Sequence, residues 1–288
     1  MTSELLEAVA GVLARGERAA LVTIVRASGS TPQRVGAKML VLEDGRTVGT
    51  IGGGCYENDA LGKARLVLAE GRPQVVQYEL NDDFAEETGL ICGGRMDVFI
   101  EPIAPPPDLY VVGAGHVGYH LGRFAGAVGF RLHVVDDREA FASKERFPEA
   151  VEVVVDDIGR WLASAPLAPR SHVVIVTRGH RHDLDAVRSL AAREVAYVGL
   201  IGSRAKVARV FDALLEEGVP ADVLRRVHAP IGLDLGAVTP EEIAISIVAE
   251  LIAVRHGRVR YRDDNRPDDG ARAMRWVPPA VAGSAGSV

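Results

Sequence analysis

Gly113-Ala114-Gly115-His116-Val117-Gly118 is the stretch on which the fold turns. A lone G-x-G-x-x-G carries little weight, but this one sits in a specific setting. The apolar run Leu109 to Val112 precedes it, a helical pattern opens at about Val117, and a second apolar run, Arg131 to Asp136, ends on a carboxylate. Strand, glycine turn, helix, strand and terminal acid are the parts of a dinucleotide-binding βαβ unit. Gly113 permits the tight turn, Gly115 lets a phosphate approach the backbone, and Gly118 lets the helix pack on the sheet. Free amides at the helix start favour an anion, and His116 lies in the same turn. Asp136 or Asp137 is placed to take a ribose hydroxyl, and Asp136 fits the strand end better. A carboxylate there favours an NAD-like ligand over a 2′-phosphorylated one. The plain alternative is a loop that keeps this shape and binds nothing, because a fold does not fix a function.

Downstream, strand and helix patterns alternate. Val151 to Val155, His172 to Thr177 and Tyr197 to Ile201 are apolar and β-branched, with helical patterns at Leu184 to Arg193 and Arg204 to Glu217. That rhythm predicts a doubly wound parallel sheet of the Rossmann type over residues 108–257. Thr239-Pro240-Glu241-Glu242 is a helix start with a Thr cap, Pro in the first turn and Glu at the capping-box position. The helix is expected to reach about Arg255. Residues 258–288 are polar and glycine-rich and read as a C-terminal tail.

Upstream, residues 1–104 read as a smaller α+β domain. Leucine and valine recur at helical spacing from Glu4 to Arg15, strands are expected at Ala20 to Val25 and Ala37 to Glu43, and Asp44-Gly45 is a hairpin signal. A helix over Glu57 to Glu70 stops at Gly71, and strands follow at Gln74 to Leu80 and Met96 to Glu101. Pro102-Ile-Ala-Pro105-Pro106-Pro107 reads as a stiff linker.

Composition narrows the classes of function. The 288 residues carry a formal charge of −6, which argues against phosphate neutralisation on a nucleic acid. Charges or glycines interrupt every hydrophobic run before it could span a bilayer, and the N-terminus lacks a signal-peptide layout. With 2 cysteines no disulfide framework is expected, so a reducing cytoplasm fits best.

Two loops in the first domain set cysteine beside glycine: Gly52-Gly53-Gly54-Cys55 before a helix, and Cys92-Gly93-Gly94 before a strand. Bare amides and a helix start activate a thiol, which makes Cys55 and Cys92 candidate ligands or sulfur carriers. Buried cysteines and glycine turns are equally the ordinary contents of a core and its loops. In the second domain, Thr177-Arg178-Gly179-His180-Arg181-His182-Asp183 follows a strand at the edge where such folds bind ligands. His180, His182 and Asp183 offer at most a partial metal set; the alternative is a helix start that Asp183 stabilises.

These loops resemble one family. Gly-Ser-Thr-Pro-x-x-x-Gly-Ala (29–37), Gly-Thr-Ile-Gly-Gly-Gly-Cys-x-Glu (49–57), Cys-Gly-Gly (92–94), Val-Gly-Ala-Gly-His-Val-Gly (112–118), Thr-Arg-Gly-His (177–180), Gly-Leu-Ile-Gly-Ser-Arg-x-Lys (199–206) and Pro-Ile-Gly-Leu-Asp-Leu-Gly-Ala-x-Thr-Pro-Glu-Glu-Ile-Ala (230–244) follow in order. Together they are similar to the XdhC/CoxI family of xanthine dehydrogenase accessory factors; Tyr56 and Leu90 depart from its pattern. The resemblance implies a chaperone rather than a catalyst. Such a chaperone binds the molybdenum cofactor (molybdopterin) and delivers it to a molybdenum hydroxylase apoprotein. A cofactor sulfurase and a second copy of the chain are further partners that the resemblance leaves open. Cofactor contacts would fall on Gly113, Gly115, His116, Gly118, Asp136, Gly52, Gly53, Gly54, His180, Ser203 and Arg204, with Cys92, and secondarily Cys55, near the metal. Two cysteines are too few for the iron–sulfur ligation of the hydroxylase itself. An NAD(P)-dependent oxidoreductase and a cysteine-based sulfur-transfer enzyme stay open beside the carrier. NADH turnover marks the first, and a cysteine persulfide the second.

Overall fold

The computed structural model describes residues 2–79 and 94–258. The chain divides into two compact units, one ending at Pro105 and the other beginning at Pro106.

The first unit contains α1 (Ser3–Ala14), β1 (Ala19–Ser28), β2 (Lys38–Leu42), β3 (Thr47–Gly49), α2 (Gly54–Glu70), β4 (Gln74–Glu79) and β5 (Arg95–Ile103). Its strands form an antiparallel sheet in the order β3-β2-β1-β5-β4. Alternation sorts the side chains by face. Ala20, Val22 and Ile24 of β1 pack with Ala60, Ala64 and Val67 of α2, while Ala19 and Leu21 pack with Leu5 and Val12 of α1. The Asp44-Gly45 turn does close a hairpin, but its second strand, β3, has 3 residues and is too short to show a period. Pro102 is not part of a linker, because it pairs with Ala20 inside β5. β4 stops pairing at Ile100, so the missing Pro102 N–H costs no ladder bond on that side. Gly71 ends α2 in the left-handed conformation at φ +67, as its position suggested.

The second unit runs β6 (Asp108–Val112), α3 (His116–Ala127), β7 (Arg131–Asp136), β8 (Glu152–Val155), α4 (Ile158–Ser164), β9 (His172–Ile175), α5 (His180–Leu190), β10 (Tyr197–Leu200), α6 (Arg204–Glu216), α7 (Ala221–Arg225), β11 (Val227–His228) and α8 (Pro240–Arg255). Its six strands are parallel in the order β11-β10-β9-β6-β7-β8. Strand β6 feeds alternate faces: Tyr110 and Val112 join the core under α4, α5 and α6, while Leu109 and Val111 join the core under α3 and α8. This is the doubly wound Rossmann arrangement, and its strand order reverses between β6 and β9. The short α4, α7 and β11 escape sequence patterning. The capping box at Thr239 forms in full, with Thr239 Oγ1 accepting from the Glu242 amide and Glu242 Oε2 accepting from the Thr239 amide. Among the described residues no helix is long and apolar enough to cross a membrane.

Candidate functional site

Strand β6 delivers the glycine loop to the point of strand-order reversal. Gly113 has φ +109, and a Cβ there would lie 2.6 Å from the Val176 carbonyl oxygen and 3.0 Å from the Thr177 amide. A Cβ on buried Gly118 would fall on the Gly113 carbonyl. Both glycines are therefore demanded by the chain's own packing. Gly115 is different. Its φ of −62 suits any residue, and a Cβ there would have nothing within 4 Å. It stands at the N-cap of α3, where no side chain caps the helix. A Ser or Asp cap would stabilise the helix over glycine by only about a few tenths of a kcal/mol. Exposed His116 opens the first turn beside it.

Charged side chains clamp the loop from both sides. The Ala114 amide donates to Asp136 Oδ2 at 2.8 Å, and Arg146 donates to the Ala114 carbonyl at 2.8 Å and the Phe141 carbonyl at 2.7 Å. Asp136 is the last residue of β7, as expected, yet it is only 2% exposed. The Arg138 guanidinium reaches both its oxygens, at 2.8 and 2.9 Å, and the Arg138 amide adds a bond of 3.0 Å. Burial pushes this carboxyl up, but the guanidinium and the two amides outweigh it and hold the pKa below the ordinary value. The Arg138 guanidinium lies 3.8 Å from the centre of the Phe141 ring. Asp136 thus faces the loop, and the neighbouring Asp137 faces outward.

The loops after β9 and β10 reach the same edge. Thr177 Oγ1 donates to Asp183 Oδ1 at 2.6 Å, and Lys206 Nζ lies 2.6 Å from Asp183 Oδ2. Asp183 is fully buried in the first turn of α5, so this cluster ties the β9 loop, α5 and α6 together. His180 is the exposed first residue of α5, behind an N-cap glycine, Gly179, that offers no side chain. Ser203 caps α6, accepting from the Lys206 amide at 3.3 Å, and Arg204 is exposed in that first turn. No group of three or more His, Cys, Asp or Glu able to hold a metal occurs among the described residues. The structure thus gathers Gly113, Gly115, His116, Gly118, Asp136, His180, Ser203 and Arg204 at the carboxyl edge of one sheet. Sequence reasoning passed over Arg138, Arg146, Thr177 and Lys206, although Thr177 and Lys206 lie inside quoted motifs.

The first unit holds its own cluster. Glu57 Oε2 accepts from Thr50 Oγ1 at 2.6 Å, the Ile51 amide at 2.9 Å and the Gly53 amide at 3.0 Å. The Gly52 amide donates to Thr50 Oγ1 at 2.9 Å. Burial raises the Glu57 carboxyl, but the hydroxyl and amides draw it below its usual value. The triple-glycine loop is therefore folded around a carboxylate of the chain, leaving Gly54 as the helix start. A Cβ on Gly52 would lie 2.6 Å from the Tyr56 hydroxyl and 2.9 Å from Pro32. Gly94 is pressed against the Ser28 and Ser30 carbonyls. Gly94 and residues of the first two motif loops meet here. Cys55, half-buried in the first turn of α2, carries a free thiol. Cys92 and Gly93 lie outside the described residues.

Known proteins carry the same two-part pattern. Residues 109–251 match the XdhC Rossmann domain, and residues 12–79 match the XdhC and CoxI family. YqeB, an uncharacterized protein of Escherichia coli (strain K12), is 36% identical over 82% of this chain, which spans 43% of that protein's length. A probable subunit of the xanthine dehydrogenase of Bacillus subtilis (strain 168) is 25% identical, over 83% of this chain and 94% of its own. The molybdenum cofactor insertion chaperone PaoD of Escherichia coli is 23% identical, over 84% and 85%. A crystal structure from Bacillus halodurans, reported as a xanthine dehydrogenase, superposes with a TM-score of 0.50 at 28% identity, covering 89% of this chain and 96% of that one. Two matched domains in the same order, built on the loops described above, make this chain a member of the XdhC and CoxI family.

Proposed function

We propose that this protein is a maturation factor for a molybdenum hydroxylase of the xanthine dehydrogenase kind, and that it carries the molybdenum cofactor by its phosphate at the start of α3. The observation that carries this reading is Gly115. Nothing packed in the chain requires glycine there, and Ser or Asp would cap the helix slightly better. Closeness to a ligand outside the chain explains the choice, because only glycine lets a phosphate reach the amides. The residues at the glycine loop fit the phosphate of the group. The amides after Gly115 suit that phosphate, and a cysteine thiolate is the kind of ligand that a soft metal takes. The names of relatives, a molybdenum cofactor insertion chaperone and a probable part of a xanthine dehydrogenase, support the same partner class. The bound cofactor supplies the redox centre of the client; this chain's task is to hold and release it.

The test is pterin and molybdenum content per chain, after purification from a host that makes the cofactor. Gly115→Val should stay folded, with its melting temperature lowered by no more than about a few degrees by the poorer cap, and lose at least about nine-tenths of the bound pterin. Cys92→Ser should fold normally and lose metal retention and client activation, with Cys55→Ser affected less. Full retention in Gly115→Val would reject the phosphate seat. Retention in both cysteine variants would reject the thiol contact. NADH turnover without pterin would favour an oxidoreductase instead.

A further inference from the structure

We propose that the outward face of α8 is the contact by which two copies of this chain pair, helix against helix in opposite directions about a twofold axis near Ala249.

A helix packed on one side of a sheet ordinarily shows solvent a polar stripe. Helix α6 does so, with Arg209, Asp212 and Glu216 exposed about one turn apart. Helix α8 does not. Its Ala244, Ile247, Val248 and Leu251 pack into the core over the sheet. Its mid-helix acid, Glu250, is turned inward to His228 and the Gly232 amide. At about 100° per residue the opposite side carries Glu242, Ile245, Ala249, Ala253 and His256. Ile245 is 49% exposed, and Ala249 and Ala253 are half-buried. The middle turns therefore offer solvent apolar side chains alone. Val238, 80% exposed, extends this surface past the helix start, where its amide donates to Glu242 Oε2 at 2.8 Å.

Charge decides what covers the face. Glu241 and Glu242 stand at one end of α8; Arg255, His256 and Arg258 stand at the other. A partner segment of one sign would meet its own sign at one of those ends. A second α8 running the opposite way meets the opposite sign at both, with apolar side chains between. A twofold axis through Ala249 sets Ile245 against Ala253 of the other copy and Glu242 against its His256, and repeats both contacts in reverse. Such an isologous contact closes on two copies and leaves no free end. The alanines at its centre let the helices approach to the lower part of the usual range of about 8–10 Å. At about 1.5 Å per residue α8 is about 24 Å long. A contact of that extent falls below the roughly 800 Å² per partner of a stable complex, so the pairing belongs to the weak, reversible class.

Sedimentation velocity on the full chain, from about 1 to 200 μM, tests this. The wild type should pass from monomer to dimer with a Kd of the order of 10 μM. Ala249→Glu sets two like charges on the axis; it should melt as the wild type does and raise the Kd at least about tenfold. Glu241→Lys and His256→Glu should each weaken pairing severalfold, and the double variant should pair at least as well as the wild type. Ala249→Cys should form a disulfide between two copies on mild oxidation, since sulfurs on the axis come within bonding reach, whereas Asp212→Cys on α6 should not. A wild type that stays monomeric at every concentration overturns the proposal. So does a dimer that Ala249→Glu leaves intact, or a double variant weaker than either single one, because the copies then meet on another face or in another direction. A chain lacking residues 259–288 that pairs where the full chain does not would show α8 covered by its own tail, and would overturn the second copy as its occupant.

Discussion

Single residues in this protein separate what the fold demands from what it leaves free. Gly118 and Gly115 share one motif, yet a Cβ would strike the Gly113 carbonyl at the first and meet nothing at the second. The glycine pattern was legible in the sequence; which glycine serves the fold was not, because that depends on atoms packed against it. The same holds for Asp136. Its place at the strand end was readable, but its direction is set by Arg138 and the Ala114 amide. His172 shows a residue effect with no site attached. It is 5% exposed at the start of β9, and burial pushes its pKa down to about 4 from 6.5. A histidine that resists protonation only when folded leaves stability whole above about pH 6.5 and lowers it as pH falls toward 4. The full loss is about 3 kcal/mol at 1.36 kcal/mol per unit. Urea unfolding at pH 7 and pH 4.5 should show a difference smaller by about 2 kcal/mol in His172→Gln than in the wild type. An identical difference would refute the contribution of His172.

At the scale of elements, three pieces of the carboxyl edge of the parallel sheet are joined by one buried group. Asp183 holds Thr177 and Lys206, and so fixes the β9 loop against α5 and α6. Lys206→Met leaves a carboxylate buried without its cation and should cost about 3 kcal/mol. Asp183→Asn in the same chain should restore much of that, since the neutral amide needs no counter-charge. Thermal or urea melts of both single variants and the double variant close the cycle; strictly additive losses would mean the pair is not coupled. Elements with local signals were legible: the box at Thr239, the stop at Gly71, the turn at Asp44-Gly45. Helices α4 and α7 and strand β11, with 7, 5 and 2 residues, were not, because no period fits inside them. Pro102 misled for a related reason. A proline beside Pro105-Pro106-Pro107 resembles a linker until the length of β4 is known.

On the scale of the whole molecule, each unit closes its own core: one antiparallel sheet between α1 and α2, and one parallel sheet between two layers of helices. A fragment of residues 106–258 should therefore melt cooperatively by itself. Ligand at a hundred times its Kd should stabilise that fragment by about 2.7 kcal/mol, raising its melting temperature by a few degrees. A non-cooperative melt, or a shift confined to a fragment of residues 1–105, would contradict this division of labour. The reversal of strand order that opens the crevice also has a cost in time. Strand β6 finds one neighbour, β7, soon after it is made, but pairs on its other side with β9, Leu109 opposite His172. Translation at about 5–20 residues per second delivers that partner roughly three to twelve seconds later. For that interval the nascent chain displays the naked edge of its own central strand, open to any extended segment that drifts past. The crevice at the reversal is sealed only when β9 arrives, and β10 and β11 then extend the sheet beyond it.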